Sequence, residues 1–129
     1  LVQIAVVMED SRTQHPLVQV PVVDLGPLPS LMRGIPEARV VIQNNRGNVP
    51  GDVLSELVDT GRVWVDMARA EGAGPVSRVL ENVPADRVLF GSHAPYFYPL
   101  AAHLKMKESD LTEQQRSAIF RENARRLLA

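Results

Sequence analysis

Asp86-Arg87-Val88-Leu89-Phe90 opens as Gly61-Arg62-Val63-Trp64-Val65 and Ala38-Arg39-Val40-Val41-Ile42 do, and that shared opening decides the fold. The Arg-Val steps lie 23 and 25 residues apart. Such an interval holds one strand, one helix and two short loops, and it is too long for a tight hairpin. A fourth apolar run covers residues 2–8 and lies upstream of the other three, at 39–42, 62–67 and 87–90. Their β-branched content without strict alternation suits strands buried on both faces, as in parallel sheets. The pattern predicts parallel strands near 2–8, 39–44, 62–67 and 87–91.

Helices fit the intervals. Val53, Leu54, Leu57 and Val58 form one apolar stripe after the second run, and Val76, Val79, Leu80 and Val83 form another after the third. A shorter helix is expected over 28–32, flanked and interrupted by Pro27 and Pro29, after a long irregular connection over 16–27. A further helix over 100–106 is expected outside the sheet, with His103 on its surface. Near the C-terminus, Thr112 and Gln115 have capping-box spacing, and Glu113 sits in the first turn. Ile119, Phe120, Ala124, Leu127 and Leu128 are then expected on one face. Residues 1–129 read as a single domain, with no linker or low-complexity segment.

Composition narrows the function classes. With 45% hydrophobic and 22% charged residues, the chain has the apolar content for a globular core. A formal charge of −1 offers no basic surface for nucleic acid. Cysteine is absent, which excludes disulfides and zinc–thiolate sites. No apolar run approaches a membrane span, and no signal-peptide pattern opens the chain, so the cytoplasm is the default location. The chain starts without Met inside an apolar run. The expectation is a piece of a longer polypeptide.

Four parallel units need cover on both faces and leave two edges open. A (β/α)8 barrel takes about 250 residues, so the expected architecture is α/β, the C-terminal half (last four βα units) of a TIM (β/α)8 barrel. The other half would come from upstream residues or from a second copy. A free-standing flavodoxin-like domain is the competing fold, but it needs five strands.

Active sites of parallel α/β proteins form at the C-terminal ends of the strands. Here those ends carry Glu9-Asp10, Asn44-Asn45-Arg46, Arg69-Ala70-Glu71-Gly72 and Gly91-Ser92-His93-Ala94-Pro95. Glu9, Asp10 and Glu71 suit proton transfer, ligand binding or plain solvation. Asn44 and Asn45 either donate hydrogen bonds to a substrate oxygen or cap the following turn. Arg12 and His15 lie beyond the first run, on the side expected to meet an anionic substrate; a loop histidine before Pro16 is the plainer reading. Tyr96, Phe97 and Tyr98 either wall a pocket or pack the last helices.

The most specific stretch is Gly91-Ser92-His93-Ala94-Pro95-Tyr96, which resembles the last barrel strand of the amidohydrolase superfamily. The similarity is to the branch containing aminocarboxymuconate-semialdehyde decarboxylase and related lactonases. Asp59-Thr60-Gly61-Arg62-Val63-Trp64-Val65-Asp66 is similar to the family's penultimate strand and lead-in. Glu122-Asn123-Ala124-Arg125-Arg126-Leu127-Leu128 resembles its closing helix, and the match covers the family's last four strands.

The resemblance implies a metal-dependent hydrolase or non-oxidative decarboxylase acting on a small organic acid, lactone or amide. It implies a divalent metal, zinc or similar, that activates water against a carbonyl. The His-x-His pair of the family's first strand is not in this chain. The histidines expected on the fifth and sixth strands fall on Ala5 and Asn44, and the aspartate of the eighth falls on His93. His93 therefore has three readings: a residual metal ligand, a general acid–base group, or a histidine hydrogen-bonded within an altered site. Asn44 is the second catalytic candidate, with Arg12, His15 and Glu71 as substrate-binding candidates. The alternative function is a metal-free barrel that binds a small molecule or partner without chemistry.

Overall fold

The computed structural model describes residues 1–8, 10 and 12–129. Four parallel strands form one sheet: β1 (Val2–Ala5), β2 (Val40–Gln43), β3 (Val63–Asp66) and β4 (Val88–Leu89), in spatial order β1-β2-β3-β4. Val2 pairs with Val40, Val40 with Val63, and Val65 with Val88, so the Arg-Val entries of β2 and β3 are level and that of β4 is staggered by two residues. The sequential order is that of a singly wound sheet. A doubly wound sheet, as in the flavodoxin-like alternative, reverses direction at a switch point.

Between the strands lie α1 (Leu28–Gly34), α2 (Gly51–Asp59) and α3 (Pro75–Leu80); α4 (Pro99–Glu108), α5 (Glu113–Ser117) and α6 (Asn123–Leu128) follow β4. Prolines in the first turns of α1, α3 and α4 replace donors that a helix start leaves free anyway. Thr112 and Gln115 form the expected capping box, with Thr112 Oγ1 accepting the Gln115 N–H at 3.2 Å. Residues 16–27 carry only a 3-10 turn, Pro16–Val18. None of the described helices is long and apolar enough to cross a membrane.

Alternation along the strands sorts the side chains. Val40, Ile42, Val63, Val65 and Val88 point to the helices and share a core with Met32, Leu54, Leu57, Val76, Met106 and Ile119. On the opposite face Val41, Trp64 and Leu89 pack beneath Leu127 and Ala124. Farther along that face, toward the C-terminal strand ends, polar residues take over at Gln43 and Asp66.

Three expectations are corrected. The first strand stops at Ala5 instead of residue 8, although the Val6 N–H still reaches Gln43 O at 2.9 Å. The last strand is only two residues long, because beyond it the Phe90 N–H turns to Ile119 O at 3.0 Å. The apolar residues of the closing helix do not share one face. A π turn over Ala118–Glu122 lies between α5 and α6. It adds a residue per turn and rotates the stripe. Ile119 enters the helix-side core, Leu127 the opposite cluster, and Phe120 and Leu128 stay exposed.

Candidate active site

The exits of β2, β3 and β4 converge on Asp66. Its Oδ1 accepts the backbone N–H groups of Asn44 at 3.1 Å and Ala68 at 3.3 Å. Asn44 is buried with a left-handed backbone, φ 58°. Asparagine tolerates that region better than most residues. Gly91 completes the approach, since a Cβ there would lie 2.8 Å from Asp66 Oδ2. Burial pushes the Asp66 carboxyl up to about 6, against the pull of the two N–H donors and of the Lys105 ammonium.

His93 follows Gly91-Ser92, also with a left-handed backbone, φ 55°. Its ring stacks on Tyr96 at 5.2 Å and meets Phe97 edge-on at 5.2 Å. Burial first, and the Arg69 charge second, hold the imidazole below its ordinary pKa. It is therefore mostly neutral at pH 7. His93 borders two clefts. One, of about 420 Å³, is bounded by Gln3, Gln43, Asn44, Asp66 and Leu89. The other, of about 520 Å³, is bounded by Asp10, Arg46, Arg69, Glu71, Tyr96 and Phe97.

The outer rim is charged. Arg12 clasps Asp10 through Nε and Nη2, the shortest contact being 2.6 Å. Arg46 contacts Glu71 at 3.2 Å and Asp10 at 3.8 Å. Arg69 sits deeper, with its guanidinium 5.2 Å from the Phe97 ring centre. Burial, then the Arg46 charge, lowers its pKa.

A family model described as amidohydrolase matches residues 19–129. The chain belongs to the amidohydrolase family. No curated protein matches the sequence. Among solved structures, the amidohydrolase chain is similar to 2,6-dihydroxybenzoate decarboxylase complexed with 2,6-dihydroxybenzoate, and to 2,6-dihydroxybenzoate decarboxylase from Rhizobium. Each match has a TM-score of 0.58 at 18% identity, over 75% of this chain and 36% of the decarboxylase. That likeness is one of fold. This amidohydrolase chain therefore spans about a third of those decarboxylases.

The family resemblance implies a metal, and the residues present do not fit one. Among the described residues, no group of three or more His, Asp or Glu side chains comes together to hold an ion. Ala5 has no lone pair to offer in its side chain, Asn44 offers only a neutral amide oxygen, and His93 is ringed by aromatic side chains and a guanidinium.

Of the candidates read from the sequence, the fold of this amidohydrolase chain brings Asn44 to the first cleft, Glu71 to the second and His93 to both. Arg12 and His15 border neither cleft. Arg12 is turned to solvent on Asp10, and His15 Nδ1 accepts the Leu17 N–H at 3.2 Å, capping the 3-10 turn. Asn45 Oδ1 accepts from Gly47 and Val49, the capping role. Glu9 lies outside the described residues. His103 is exposed on α4, against Phe90 and Phe120. Sequence reading assigned no role to Asp66 or Arg69. A signal for Asp66 existed: it stands two residues after Trp64, on the same face of β3.

Proposed function

We propose that this amidohydrolase chain is the second half of a (β/α)8 barrel, and that its strand exits form part of the active-site mouth. The enzyme hydrolyses a small lactone or amide, or non-oxidatively decarboxylates a small organic acid, in the cytoplasm. Sequential strand order with α1–α4 on one face supports the half barrel. The missing strands come from elsewhere in a longer polypeptide or from a second copy.

One observation carries the reading: Asp66 and His93 border the same cleft at the strand exits, one pushed up in pKa and the other down. A neutral imidazole on the same cleft as a carboxyl that titrates near pH 6 is a usable base and acid. In hydrolysis of a lactone or amide, His93 takes the proton of the water that attacks the carbonyl, the C–O or C–N bond to the leaving group breaks, and the Asp66 carboxyl protonates the departing oxygen or nitrogen. In decarboxylation, the bond from carbon to carboxylate breaks, carbon dioxide leaves, and the electron pair on carbon takes the Asp66 proton. Asn44 shapes this exit through its bond to Asp66. No step runs through a metal, because the described donors do not build its site.

The test is turnover by the full-length protein of a panel of aromatic and aliphatic acids, lactones and amides, followed by mass spectrometry and carbon dioxide release. Asp66→Asn and His93→Gln should each lower kcat at least about a hundredfold, the low end for loss of a general acid or base. The lack of a ligand cluster favours a second reading, a barrel that binds without chemistry. Absence of turnover with and without added zinc or manganese selects it.

A further inference from the structure

Lys105 turns inward from α4. Ala102 and Ser109, which share its side of the helix, are buried, whereas Leu104, Lys107 and Glu108 are exposed. Its Nζ donates to Ala68 O at 2.6 Å, and the Ala68 N–H donates to Asp66 Oδ1 at 3.3 Å. The Lys105 backbone is tied down as well: Ser109 Oγ donates to Lys105 O at 2.8 Å and accepts the Val76 N–H of α3 at 3.0 Å. Helix α4 is thus fixed against the start of α3 before its ammonium crosses to the buried turn Met67-Ala68-Arg69. The charged groups around that ammonium are Asp66, Arg69 and Glu71 of the β3 exit, with Arg46 of the β2 exit and His93 of the β4 exit beyond Arg69. Burial lowers the Lys105 pKa, and the Glu71 and Asp66 charges oppose that.

We infer that Lys105 is the positioning residue of the β3 exit: through Ala68 O it fixes the turn that presents the Asp66 carboxyl, and its charge makes that carboxyl the better proton donor. Lys105 borders neither cleft, and among the described residues it makes no ion pair. It therefore acts on Asp66 through the turn and through space. A charge-assisted bond to a backbone oxygen is strong enough to hold a buried turn. An opposite charge nearby favours the ionised carboxyl and so eases release of its proton. This deepens the proposed function, on which it rests for the role of Asp66, by naming the group outside the clefts that tunes it.

The experiment follows the Asp66 carboxyl through a pH titration by NMR, in full-length protein with isotope-labelled aspartates, its signal assigned by Asp66→Asn. From a midpoint of about 6 in the parent protein, Lys105→Met should move it to higher pH, with proton affinity up about threefold or more. Lys105→Arg, which keeps the charge and a donor, should bring it back toward the parent value. Lys107→Met, which removes an exposed charge two residues away, should leave it in place. With a substrate found, Lys105→Met should also lower kcat about tenfold or more with KM little changed, since displacing a reacting group by about 1 Å costs about a hundredfold. A merely structural lysine would lower Tm and leave the midpoint alone. If Lys105→Met does not fold, the ammonium protons of the unaltered protein decide: those of Lys105 should exchange more slowly than those of Lys107 and shift as Asp66 titrates. An unmoved midpoint, an equal move in Lys107→Met, or ammonium protons that exchange alike overturns the inference. The titration needs no turnover, so the two readings fail separately. A moved midpoint without turnover removes the enzyme and keeps the role of Lys105; turnover with an unmoved midpoint does the reverse.

Discussion

The Asn44 backbone N–H donates to Asp66 Oδ1 across 3.1 Å, tying the exit of β2 to the exit of β3. The bond holds Asn44 in its left-handed conformation and keeps the Asp66 carboxyl at the strand ends, against Gly91. One buried group therefore positions three strand exits.

Asp66 should give the protein a measurable stability slope with pH. Its folded pKa of about 6 lies above the ordinary aspartate value of 3.8. Between those values the folded state binds more protons than the unfolded state, so this contribution falls as pH rises through the window and levels off above pH 6. The full swing is about 3 kcal/mol, at about 1.4 kcal/mol per pKa unit. Asp66→Asn keeps an oxygen for both N–H donors and cannot ionise. Urea titrations at about pH 4.5 and about pH 7.5, either side of most of that window, should show the variant gaining on the parent protein as pH rises. A constant difference between them would contradict the burial of this carboxyl.

Gly91→Ala should destabilise by about 1–3 kcal/mol, the usual cost of overpacking. The added Cβ would lie 2.8 Å from Asp66 Oδ2 and 3.2 Å from the Ala68 Cβ. Removing the carboxylate as well isolates the clash. In a double-mutant cycle by chemical denaturation, Gly91→Ala should cost less in the Asp66→Ala background. Additive costs would mean that the carboxylate is not the obstacle.

Asn123 is the anchor of the closing helix. Its Nδ2 donates to Ala85 O at 2.7 Å and to Val88 O at 2.8 Å, and the residue is fully buried. Asn123→Ala should cost about 1–3 kcal/mol, because it removes two interior hydrogen bonds, of whose acceptors Ala85 O keeps the Val88 N–H. Asn123→Asp should cost more, by setting a carboxylate against those same oxygens. Thermal unfolding monitored by circular dichroism ranks the parent and the two variants. A higher Tm for Asn123→Asp than for Asn123→Ala would refute this account.

The fold was legible where one residue type repeats one task. Arg39 donates to Leu127 O at 2.6 Å, and the Arg87 guanidinium lies 4.9 Å from the Trp64 ring centre. Both arginines lie at strand entries beside the cluster formed by Val41, Trp64, Leu89 and Leu127. The Arg-Val repeat thus marked three of the four entries in the sequence. The closing helix was half legible: Asn123 and Leu127 hold their places, but a π turn leaves no pattern that spacing reveals. The candidate site was least legible. A charged residue after a strand reads as solvated, and only packing against Phe97 shows that Arg69 is buried. Asp66 stands out only once β4 brings Gly91 against it.

The 129-residue chain, expressed alone, should not be a monodisperse monomer. Within the described residues β1 pairs only with β2, so its outer backbone is an open edge, and Leu1 and Val2 on it are more than half exposed. Leu17, Val18, Val20 and Val22 are exposed as well, in the connection between β1 and α1. An open parallel edge with apolar neighbours is a template for pairing with another chain. Two half barrels would supply eight strands and bury both clefts, with a copy of His93 from each. Light scattering should therefore report a dimer or larger species, and joining the chain to its missing strands should remove it. A single cooperative transition from a monomer, by calorimetry on the isolated chain, would show that the β1 edge needs no partner and would defeat the half-barrel proposal.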